Sequence, residues 1–397
     1  MKIYEIGTGY TSIPANKGAA TEIVVDNLSH ALIKQGHDVT VVDIEDPNRL
    51  PTDLPIVEVP MPKGFGATDE ALGIRHKLKR VVYSVKLAGV LKKLLRTVPG
   101  SEKVVLHFHN QYNAFFFYKL VASSLRKKAL VAYTVHSYIW HDEWSVIEGT
   151  IKKRYFQEVD ALKRADCSFV LNSDAMETIV KHVGVPADRL TLIANGVNTD
   201  VYVPIGDAEV AKAKTAHGLD GKSCIIQVGS VCDRKNQLGA LQMLALLMQE
   251  REDVAYIYAG GIIDEEYKAS IDAFAAENGI AERVVYLGEL KPGAELNECY
   301  NLAKCAIFAT KAEAFSLVVL EGMASGLPVF VNDALKLDLA GIERYSDGDR
   351  LRSKVAEILS DEECRKRLSA NARKAVLDGY SWDKVAADYV SVFANNA

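Results

Sequence analysis

The sequence predicts an α/β protein of two domains, each built on a doubly wound parallel sheet. Short β-branched or apolar runs alternate with longer amphipathic segments along almost the whole chain, as successive βαβ units do. The chain has 397 residues, which is too long for one ordinary core and suits two domains. Sheets of this kind bind ligands beyond the carboxyl ends of their strands. We therefore expect the functional residues in those loops, with the two domains facing each other across a cleft.

Two series of predicted strands define the domains. The first series comprises residues 2–6, 39–44, 104–108, 130–135, 168–171 and 190–193, and the second comprises residues 224–228, 254–259, 284–287, 305–309 and 328–331. A turn-rich stretch from Asn195 to Asp207 separates them. We predict an N-terminal domain over 1–200 and a C-terminal domain over 201–379. Residues 380–397 form an amphipathic helix, with Ser381 as a candidate cap, and we expect this helix to pack back on the N-terminal domain.

The composition excludes several classes of protein. The net charge is −5, from 47 Lys and Arg against 52 Asp and Glu, and gives no reason to expect nucleic-acid binding. The six cysteines form no Cys-x-x-Cys pair, so neither a zinc ribbon nor a disulfide framework is indicated. The chain enters its first strand without an export leader, and no apolar run reaches the roughly 18 residues that span a bilayer. We expect a cytoplasmic protein, and peripheral contact with the inner face of the membrane stays open.

The most informative segment is Glu-Ala-Phe-Ser-Leu-Val-Val-Leu-Glu, which begins at Glu313. A helix that starts near Leu317 places Glu321 about one turn in, so both carboxylates can face one ligand. The amides of Phe315, Ser316 and Leu317 would point from the helix N-terminus, where phosphate oxygens bind readily. Carboxylates suit the hydroxyls of a polyol, and amides suit a diphosphate. The alternative is that both glutamates are solvated, but Glu321 lies among apolar and small residues, and a buried carboxylate needs a partner.

A second loop, from Gly229 to Gln237, follows a predicted strand and leads into a helix. Its Arg234 and Lys235 are adjacent cations at a helix N-terminus, where each opposes the helix dipole at a cost of about a few tenths of a kcal/mol unless an anion is present. A diphosphate would supply the anion, since unit charges about 4 Å apart attract by roughly 4 kcal/mol at an effective dielectric near 20. The alternative, a solvated Arg-Lys pair, is less favoured beside the glutamate segment.

The loop after the first strand matches the dinucleotide-binding motif Gly-x-Gly-x-x-Gly only in part. Gly7 and Gly9 fit the first two glycines, but Ser12 stands at the third, and Asp43 lies 36 residues after Gly7 where roughly 20 is usual. This departure argues against a nicotinamide-dependent oxidoreductase. The residues just before the next helix are small and include Gly18, so a ligand can approach the backbone there.

Four histidines lie near predicted strand ends, namely His107, His109, His136 and His141. His107 and His109 share one face of a strand and could hold a metal ion, but no acidic or cysteine ligand follows at a suitable spacing, so core or hydrogen-bonding histidines are favoured. His136 lies just past a strand, where a ligand is expected. The Asp347-Gly348-Asp349 sequence precedes a helix and is interpreted as a turn and cap. We expect neither a metal nor another cofactor.

Residues 71–101 contain no Asp or Glu and carry eight cations: Arg75, Lys77, Lys79, Arg80, Lys86, Lys92, Lys93 and Arg96. Apolar residues recur at helical spacing, namely Ile74, Leu78, Val81, Val85, Ala88, Leu91 and Leu95, and predict an amphipathic helix over 74–96. The apolar face can pack on the sheet, and the basic face can approach an anionic membrane or an acidic or lipid-linked acceptor. The two interpretations are compatible, and both stay open.

These motifs resemble glycosyltransferase family 4, a large family of retaining enzymes with the GT-B fold of two Rossmann-like domains. The segment from Glu313 to Val329 resembles the family's Glu-x7-Glu motif, and Gly-Ser-Val-Cys-Asp-Arg-Lys-Asn, which starts at Gly229, resembles its phosphate loop. Thr-Val-His-Ser at residues 134–137 and Leu-Ile-Ala-Asn-Gly-Val-Asn at residues 192–198 resemble its N-terminal and interdomain segments. The likeness covers nearly the whole chain in the right order.

The resemblance implies an enzyme that transfers a sugar from a nucleotide-sugar, with a uridine diphosphate donor favoured. The acceptor is unassigned and could be a glycan, a lipid-linked molecule or a cell-envelope precursor. Transfer would retain the anomeric configuration and need no metal, because the departing phosphate oxygen takes the proton of the acceptor. The oligomeric state is not predicted.

The resemblance also implies roles for the site residues. Glu313 would bind hydroxyls of the donor sugar, Glu321 would hold the ribose, and His136 would touch the sugar near its reacting face. Arg234 and Lys235 would neutralise the leaving diphosphate. Two glycines, Gly18 and Gly229, and the amides of Phe315, Ser316 and Leu317 would bring backbone close to the donor.

Two departures from the family pattern limit what can be assigned. Ser230 stands where many relatives carry an arginine, so Arg234 must carry more of the charge. After Val331 the usual Gly-Gly-x-x-Glu loop is missing, so the sequence does not assign the sugar.

A GT-B phosphorylase or a sugar-nucleotide epimerase is the nearest alternative function. A non-enzymatic two-lobed sugar-binding protein is less favoured, because the export leader is missing and the two cations are paired.

Overall fold

A computed structural model describes residues 1–15, 19–67, 74–100, 102–141, 143–313, 315–335 and 337–396. It divides into two compact units, one formed by Met1–Gly196 with Trp382–Ala397 and the other by Val197–Ser381. Each unit is a Rossmann-like α/β domain with a wholly parallel sheet. The predicted fold class is therefore confirmed.

The sheet of the first unit has seven strands in the order β3-β2-β1-β4-β5-β6-β7. The strands are β1 (Lys2–Ile6), β2 (Asp38–Ile44), β3 (Ile56–Val59), β4 (Val104–Phe108), β5 (Ala129–Thr134), β6 (Cys167–Val170) and β7 (Leu190–Leu192). The helices are α1 (Ala20–Lys34), α2 (Ile74–Thr97), α3 (Gln111–Leu120), α4 (Ser123–Arg126), α5 (Trp144–Arg154), α6 (Phe156–Arg164) and α7 (Ser173–Thr178). Short 3-10 turns cover Tyr138–His141 and Ala187–Arg189, and a π-helical turn covers Ile179–Val183. The order reverses direction between β1 and β4, as in other doubly wound sheets.

The second unit has six strands in the order β10-β9-β8-β11-β12-β13. They are β8 (Ser223–Val228), β9 (Val254–Ala259), β10 (Val284–Tyr286), β11 (Ala303–Phe308), β12 (Val329–Asn332) and β13 (Glu343–Tyr345). The helices are α8 (Asp207–Ala216), α9 (Gln237–Glu250), α10 (Glu265–Glu277), α11 (Ala294–Asn301), α12 (Leu317–Ala324), α13 (Gly348–Ser360) and α14 (Glu362–Gly379), with a 3-10 turn at Ala281–Arg283.

The last helix, α15 (Trp382–Asn396), belongs to the first unit. Its Tyr389 and Phe393 lie against Phe169 of β6, with ring centroids 4.4 and 5.8 Å away. At the surface, Lys34 Nζ of α1 lies 2.5 Å from the Asp383 carboxylate. Aromatic packing and this ion pair together fix the chain end on the domain formed by its beginning.

The predicted strands all form, with ends that shift by at most two residues, but two further strands were not predicted. β3 has four residues between Pro55 and Pro60, and β13 is Glu-Arg-Tyr. Both lie at an edge of their sheet. Short edge strands need not carry an apolar run, and that run is the signal on which strand prediction depends.

Helix α2 packs differently from the prediction. Among the predicted apolar positions, the structure buries Ala88, Leu91 and Leu95 and exposes Leu78, Val81 and Val85. These positions recur about every 3.5 residues, whereas an α-helix has about 3.6 residues per turn, so the row rotates around the helix along its length. Tyr83 and Leu87 take the buried side instead. One end of the predicted face therefore packs on the domain and the other end faces solvent.

Among the described residues, no helix is both long enough and apolar enough to cross a membrane.

Candidate active site

The charged loop cluster of the second unit consists of Arg234, Lys235 and Glu313. The loops that carry these residues follow β8 and β11, which pair in parallel, so both leave the same edge of the sheet. Lys235 forms a salt bridge with the Glu313 carboxylate. Arg234 Nη1 lies 3.3 Å from the same carboxylate and donates to the Ala312 carbonyl at 3.1 Å. The anion that the two cations need at this helix N-terminus is therefore present within the protein, as Glu313.

Hydrogen bonds join the two loops into one unit. The Arg234 carbonyl accepts from the Lys311 amide at 2.9 Å and from the Thr310 hydroxyl at 3.0 Å. Gln227 Nε2 donates to the Lys235 carbonyl at 2.7 Å. Because the backbone on both sides is held, the charged side chains can change partner without movement of the loops.

Gly229 begins the loop that carries the cations, and its conformation requires a glycine. Its φ is +146°, and a Cβ there would lie 3.4 Å from the Lys235 side chain. The neighbouring Gly260 is as restricted, since its Cβ would lie 2.3 Å from the Gly229 carbonyl oxygen. The absence of side chains leaves the backbone at this sheet edge open to close approach.

Helix α12 begins at Leu317, as predicted. The buried Ser316 caps it by accepting from the Val319 amide at 3.4 Å. The amides of Phe315, Ser316 and Leu317 donate to no other residue in the part of the chain that the structure describes. A helix N-terminus with free donors is favourable for an anion.

Glu321 lies on α12 and is almost completely buried. The Tyr300 hydroxyl, from α11, donates to its Oε2 at 3.1 Å. Burial raises the pKa of Glu321 to about 7, and hydrogen bonds from Tyr202 and Tyr300 oppose that rise. Sequence reasoning required a partner for this carboxylate and missed both tyrosines, because they lie some 20 or more residues away on other elements.

The histidine cluster of the first unit consists of Glu5, His107, His109 and His136. Glu5 of β1 is the register partner of His107 on β4, and both are fully buried. The Glu5 carboxylate lies 3.0 Å from His107 Nδ1 and 2.8 Å from His109 Nε2. Burial works against its ionisation, but the two imidazoles hold the pKa of Glu5 at about 2. The expectation that no acidic residue joins these histidines was wrong, because strand pairing supplies one from 102 residues away.

His136 joins this cluster just past the end of β5. Its Nε2 lies 3.0 Å from His109 Nδ1. A second buried carboxylate, Glu158 of α6, holds the segment around it by accepting from the Tyr133 hydroxyl at 2.8 Å, the Ser137 hydroxyl at 3.0 Å and Trp140 Nε1 at 3.2 Å. The backbone on either side of His136 is thus fixed from within the domain.

The atoms of Glu5, His107 and His109 lie close enough together, within 4.8 Å, to suit a metal ion. Hydrogen bonds satisfy the same atoms without one, since His107 Nε2 also lies 2.7 Å from the Thr134 hydroxyl. The other acidic candidate has a structural role, because Asp347 caps α13 by accepting from the Arg350 amide at 2.9 Å. Asp43 is likewise occupied, by Arg49 Nη1 at 2.7 Å and the Ile13 amide at 2.8 Å.

A cavity of about 550 Å³ opens beside these loops in the second unit. It is lined by Asn236, Gly239, Gln242, Met243, Asn332, Tyr345, Gly348, Asp349 and Arg352. None of the predicted donor-binding residues lines it, so volume alone does not identify the site, and the predicted site rests on the chemistry of its residues.

Two family models match consecutive parts of the chain. Residues 21–201 match the model of Glycosyltransferase Family 4, and residues 210–375 match the model of Glycosyl transferases group 1. The chain belongs to glycosyltransferase family 4. Its two Rossmann-like domains are those of the GT-B fold. The group 1 model lies within the second unit, and the Family 4 model covers most of the first unit and ends at residue 201, just beyond Gly196.

Individual relatives of this family 4 glycosyltransferase are distant. An uncharacterised glycosyltransferase of Methanocaldococcus jannaschii is 26% identical over 237 residues, which span 57% of this chain and 60% of that protein. The alpha-galactosylglucosyldiacylglycerol synthase of Streptococcus pneumoniae is 24% identical over 68% of this chain and 72% of its own length. The crystal structure of Anabaena HepE in complex with UDP and glucose has a TM-score of 0.72 at 14% identity, over the full length of both chains.

The site residues predicted for this glycosyltransferase fall into three groups. The Glu313 carboxylate contacts Arg234 and Lys235, and Gly229 lies beside the Lys235 side chain. The capped start of α12 and Glu321 lie on one helix of the second unit, and His136 lies in the first unit. Gly18 lies outside the described residues, as does Ala314 within the glutamate segment. Sequence reasoning missed Glu5, although a charged residue within Ile-Tyr-Glu-Ile, a buried strand pattern, could have signalled it.

Proposed function

We propose that this glycosyltransferase moves a sugar from a nucleotide-sugar, with a UDP-sugar favoured, to an acceptor with retention of configuration and without a metal. The observation that carries the proposal is the charged loop cluster. Two cations and one carboxylate meet at a helix N-terminus, where all three are at least partly exposed to solvent. A diphosphate can bind Arg234 and Lys235, and the released Glu313 carboxylate can then accept a hydrogen bond from a sugar hydroxyl.

The second carboxylate supports the binding of a nucleoside. Glu321 is buried beside Tyr300, and an ionised carboxylate there would accept hydrogen bonds from the two ribose hydroxyls. The amides at the start of α12 would donate to the phosphates. The UDP bound to Anabaena HepE, a protein of the same fold, supports uridine as the nucleoside.

The proposed reaction needs no separate base. The bond between the anomeric carbon and the phosphate oxygen breaks while the acceptor oxygen attacks from the same face. The proton of the acceptor passes to the departing phosphate oxygen, and the nucleoside diphosphate leaves. Arg234 and Lys235 would stabilise the negative charge that develops on it. His136, in the first unit, would contact the sugar.

The proposal is tested by transfer assays preceded by a thermal-shift screen. A ligand at 100 times its Kd stabilises the protein by about 2.7 kcal/mol, so nucleoside diphosphates and nucleotide-sugars can be ranked. The anomeric proton coupling of the transferred sugar in the product, measured by NMR, reports the stereochemistry. We expect the donor's configuration and full activity in EDTA. Inversion or loss of activity in EDTA would contradict the mechanism, and phosphate as the acceptor or an epimerised nucleotide-sugar would indicate one of the alternative enzymes.

We also propose that the outer face of α2 contacts an anionic lipid surface that holds the acceptor. This face exposes Leu78, Val81 and Val85 beside Lys77, Lys86 and Lys93. Apolar side chains flanked by lysines, on a segment without acidic residues, match the charge and polarity of such a surface. The diacylglycerol glycoside named for the Streptococcus pneumoniae relative supports a lipid-linked acceptor.

Vesicle flotation tests this surface. We expect the protein to float with vesicles containing phosphatidylglycerol and to stay behind with pure phosphatidylcholine. Lys77→Glu, Lys86→Glu and Lys93→Glu combined should abolish flotation. The control combines Lys152→Glu, Lys163→Glu and Lys181→Glu, which change the charge equally at exposed lysines elsewhere on the same unit. An equal loss of flotation in both variants would show that net charge, and not the outer face of α2, causes the binding.

A further inference from the structure

We propose that Glu5 is a positioning residue that acts on His136 through His109. It fixes the His136 ring with its proton on Nε2 and a lone pair on Nδ1, which accepts a hydrogen bond from a substrate hydroxyl. The proposal rests on the proposed function at one point, the contact of His136 with substrate. Every other step depends on atoms of the first unit alone.

The first step is the ionised state of Glu5. It is fully buried and lies 2.8 Å from His109 Nε2 and 3.0 Å from His107 Nδ1. An ionised carboxylate accepts hydrogen bonds and donates none. Both imidazole nitrogens that face it must therefore carry protons.

The second step transfers this constraint to His136. Burial and the neighbouring His107 lower the pKa of His109 to about 4, so its ring is neutral at pH 7 and carries one proton. Because that proton is on Nε2, Nδ1 carries a lone pair. His136 Nε2 lies 3.0 Å from this lone pair and must donate to it. The opposite tautomer would set two lone pairs against each other.

The third step concerns the remaining nitrogen. Burial and the nearby His109 and His107 keep the pKa of His136 well below its usual value, so the ring is neutral and Nδ1 is unprotonated. Within the described ranges, no residue makes a hydrogen bond with Nδ1. His136 is partly exposed, unlike His107 and His109. A neutral acceptor of fixed direction suits a hydroxyl group, because a hydroxyl can rotate to donate.

The network also contains a matched control. His107 Nε2 lies 2.7 Å from the Thr134 hydroxyl, and the Tyr389 hydroxyl lies 3.4 Å from that oxygen. This branch shares Glu5 but does not reach His136. Thr134→Val, which is nearly isosteric, interrupts it and leaves the path through His109 intact.

The tautomer is measured on the full-length protein labelled with ¹⁵N-histidine, from the long-range ¹⁵N–¹H correlations of the imidazole rings. The His136→Gln spectrum assigns the His136 signals. We expect only the Nε2-protonated form of His136 in the wild type and in Thr134→Val. In Glu5→Met, where the acceptor is lost, we expect both tautomers. If Glu5→Met does not fold, His109→Leu tests the same path, because a leucine side chain offers His136 no lone pair to accept its proton.

Kinetics provide the second measurement. We expect kcat to fall about tenfold in Glu5→Met, the size of one net hydrogen bond, with KM for the nucleotide-sugar within about twofold of wild type. Thr134→Val should keep both constants. A tautomer change without a change in kcat would overturn the proposal, since Nδ1 would then accept nothing that matters to the reaction.

Three other results would also overturn it. The first is an Nδ1-protonated His136 in the wild type, and the second is an unchanged His136 tautomer in Glu5→Met. The third is one equivalent of tightly bound transition metal, because the imidazole lone pairs would then be metal ligands. A chain that transfers no sugar would contradict the proposed function instead. The tautomer measurement would still decide whether Glu5 sets the ring.

Discussion

The charged loop cluster and the histidine cluster each place a carboxylate among basic side chains, but they differ in exposure. Arg234 and Glu313 expose 43% and 19% of their side chains, whereas Glu5 and His107 expose none. An exposed ion pair contributes about 0.2–1 kcal/mol, so a competing anion can separate it. Removing one partner of a buried charge pair costs about 3–5 kcal/mol. The second unit therefore holds charges that can change partner, and the first holds charges that stay paired.

This difference matches the work that each cluster is proposed to do. A donor site must release one set of contacts to make another when a diphosphate arrives. A site that presents a single lone pair needs a fixed ring. The comparison would fail if substitutions in the charged loop cluster left catalysis unchanged. It would also fail if the buried carboxylates of the two units, Glu321 and Glu5, had the same pKa.

Lys235→Ala tests the exposed cluster with the largest expected effect. The substitution removes one charge-assisted contact with the diphosphate, which corresponds to roughly 1.5–3 kcal/mol, or about 10- to 150-fold in kcat/KM. Lys311→Ala is the control, because Lys311 pairs with Asp233 in an adjacent exposed ion pair. If kcat/KM for Lys235→Ala stayed within twofold of wild type, Lys235 would not be a ligand of the diphosphate.

Glu313→Ala separates the two roles that meet in this cluster. We expect kcat to fall by about tenfold or more, because an acceptor for the sugar hydroxyls is lost. Affinity for the nucleoside diphosphate should be kept or rise, since Arg234 and Lys235 lose their internal partner. Calorimetry with UDP and steady-state kinetics measure the two effects. Equal loss of both would move Glu313 to a structural role.

The sequence predicted local features of the fold well. The strands 2–6, 104–108 and 254–259 form with the predicted bounds, because β-branched and aromatic residues predominate in each of them. The start of α12 at Leu317 also follows from local signals, since Ser316 is a favourable N-cap. Such features depend on neighbours along the chain.

Partners from distant segments were not predictable in the same way. The pairing of Glu313 with Lys235 requires β8 to lie beside β11, and the pairing of Glu5 with His107 requires β1 to lie beside β4. A doubly wound order favours both neighbours, but the register of the strands fixes which residues meet, and no local pattern encodes it. The rotation of the apolar row on α2 has a similar cause, because a small difference in period accumulates over 24 residues.

Glu321 extends the comparison, because it is the buried carboxylate of the second unit and its pKa of about 7 contrasts with the pKa of about 2 at Glu5. If the ionised form binds the ribose, affinity for UDP should fall as pH drops, by roughly fivefold between pH 7 and pH 6. Titrations of Glu321→Gln over the same range correct for protonation of the phosphate. The same pH dependence in both proteins would exclude Glu321 as the titrating group.

The smallest expected effect is on the stability of the free protein. The pKa of Glu321 is raised on folding, so below the unfolded value of 4.5 the carboxyl is protonated in both states, and the stability of the fold falls as pH rises from about 4.5 to about 7. Glu321→Gln keeps an acceptor for Tyr300 and removes that cost. We expect the free energy of unfolding to rise by on the order of 2 kcal/mol at pH 8, which corresponds to a Tm higher by roughly 4–8 °C, and to change little at pH 5.

Glu5→Gln should do the opposite and lower Tm at pH 5 and pH 8 alike, because Glu5, with its pKa of about 2, is ionised at both. Scanning calorimetry at the two pH values compares them, and a stabilised Glu5→Gln would show that its imidazole partners do not outweigh the cost of burying its charge.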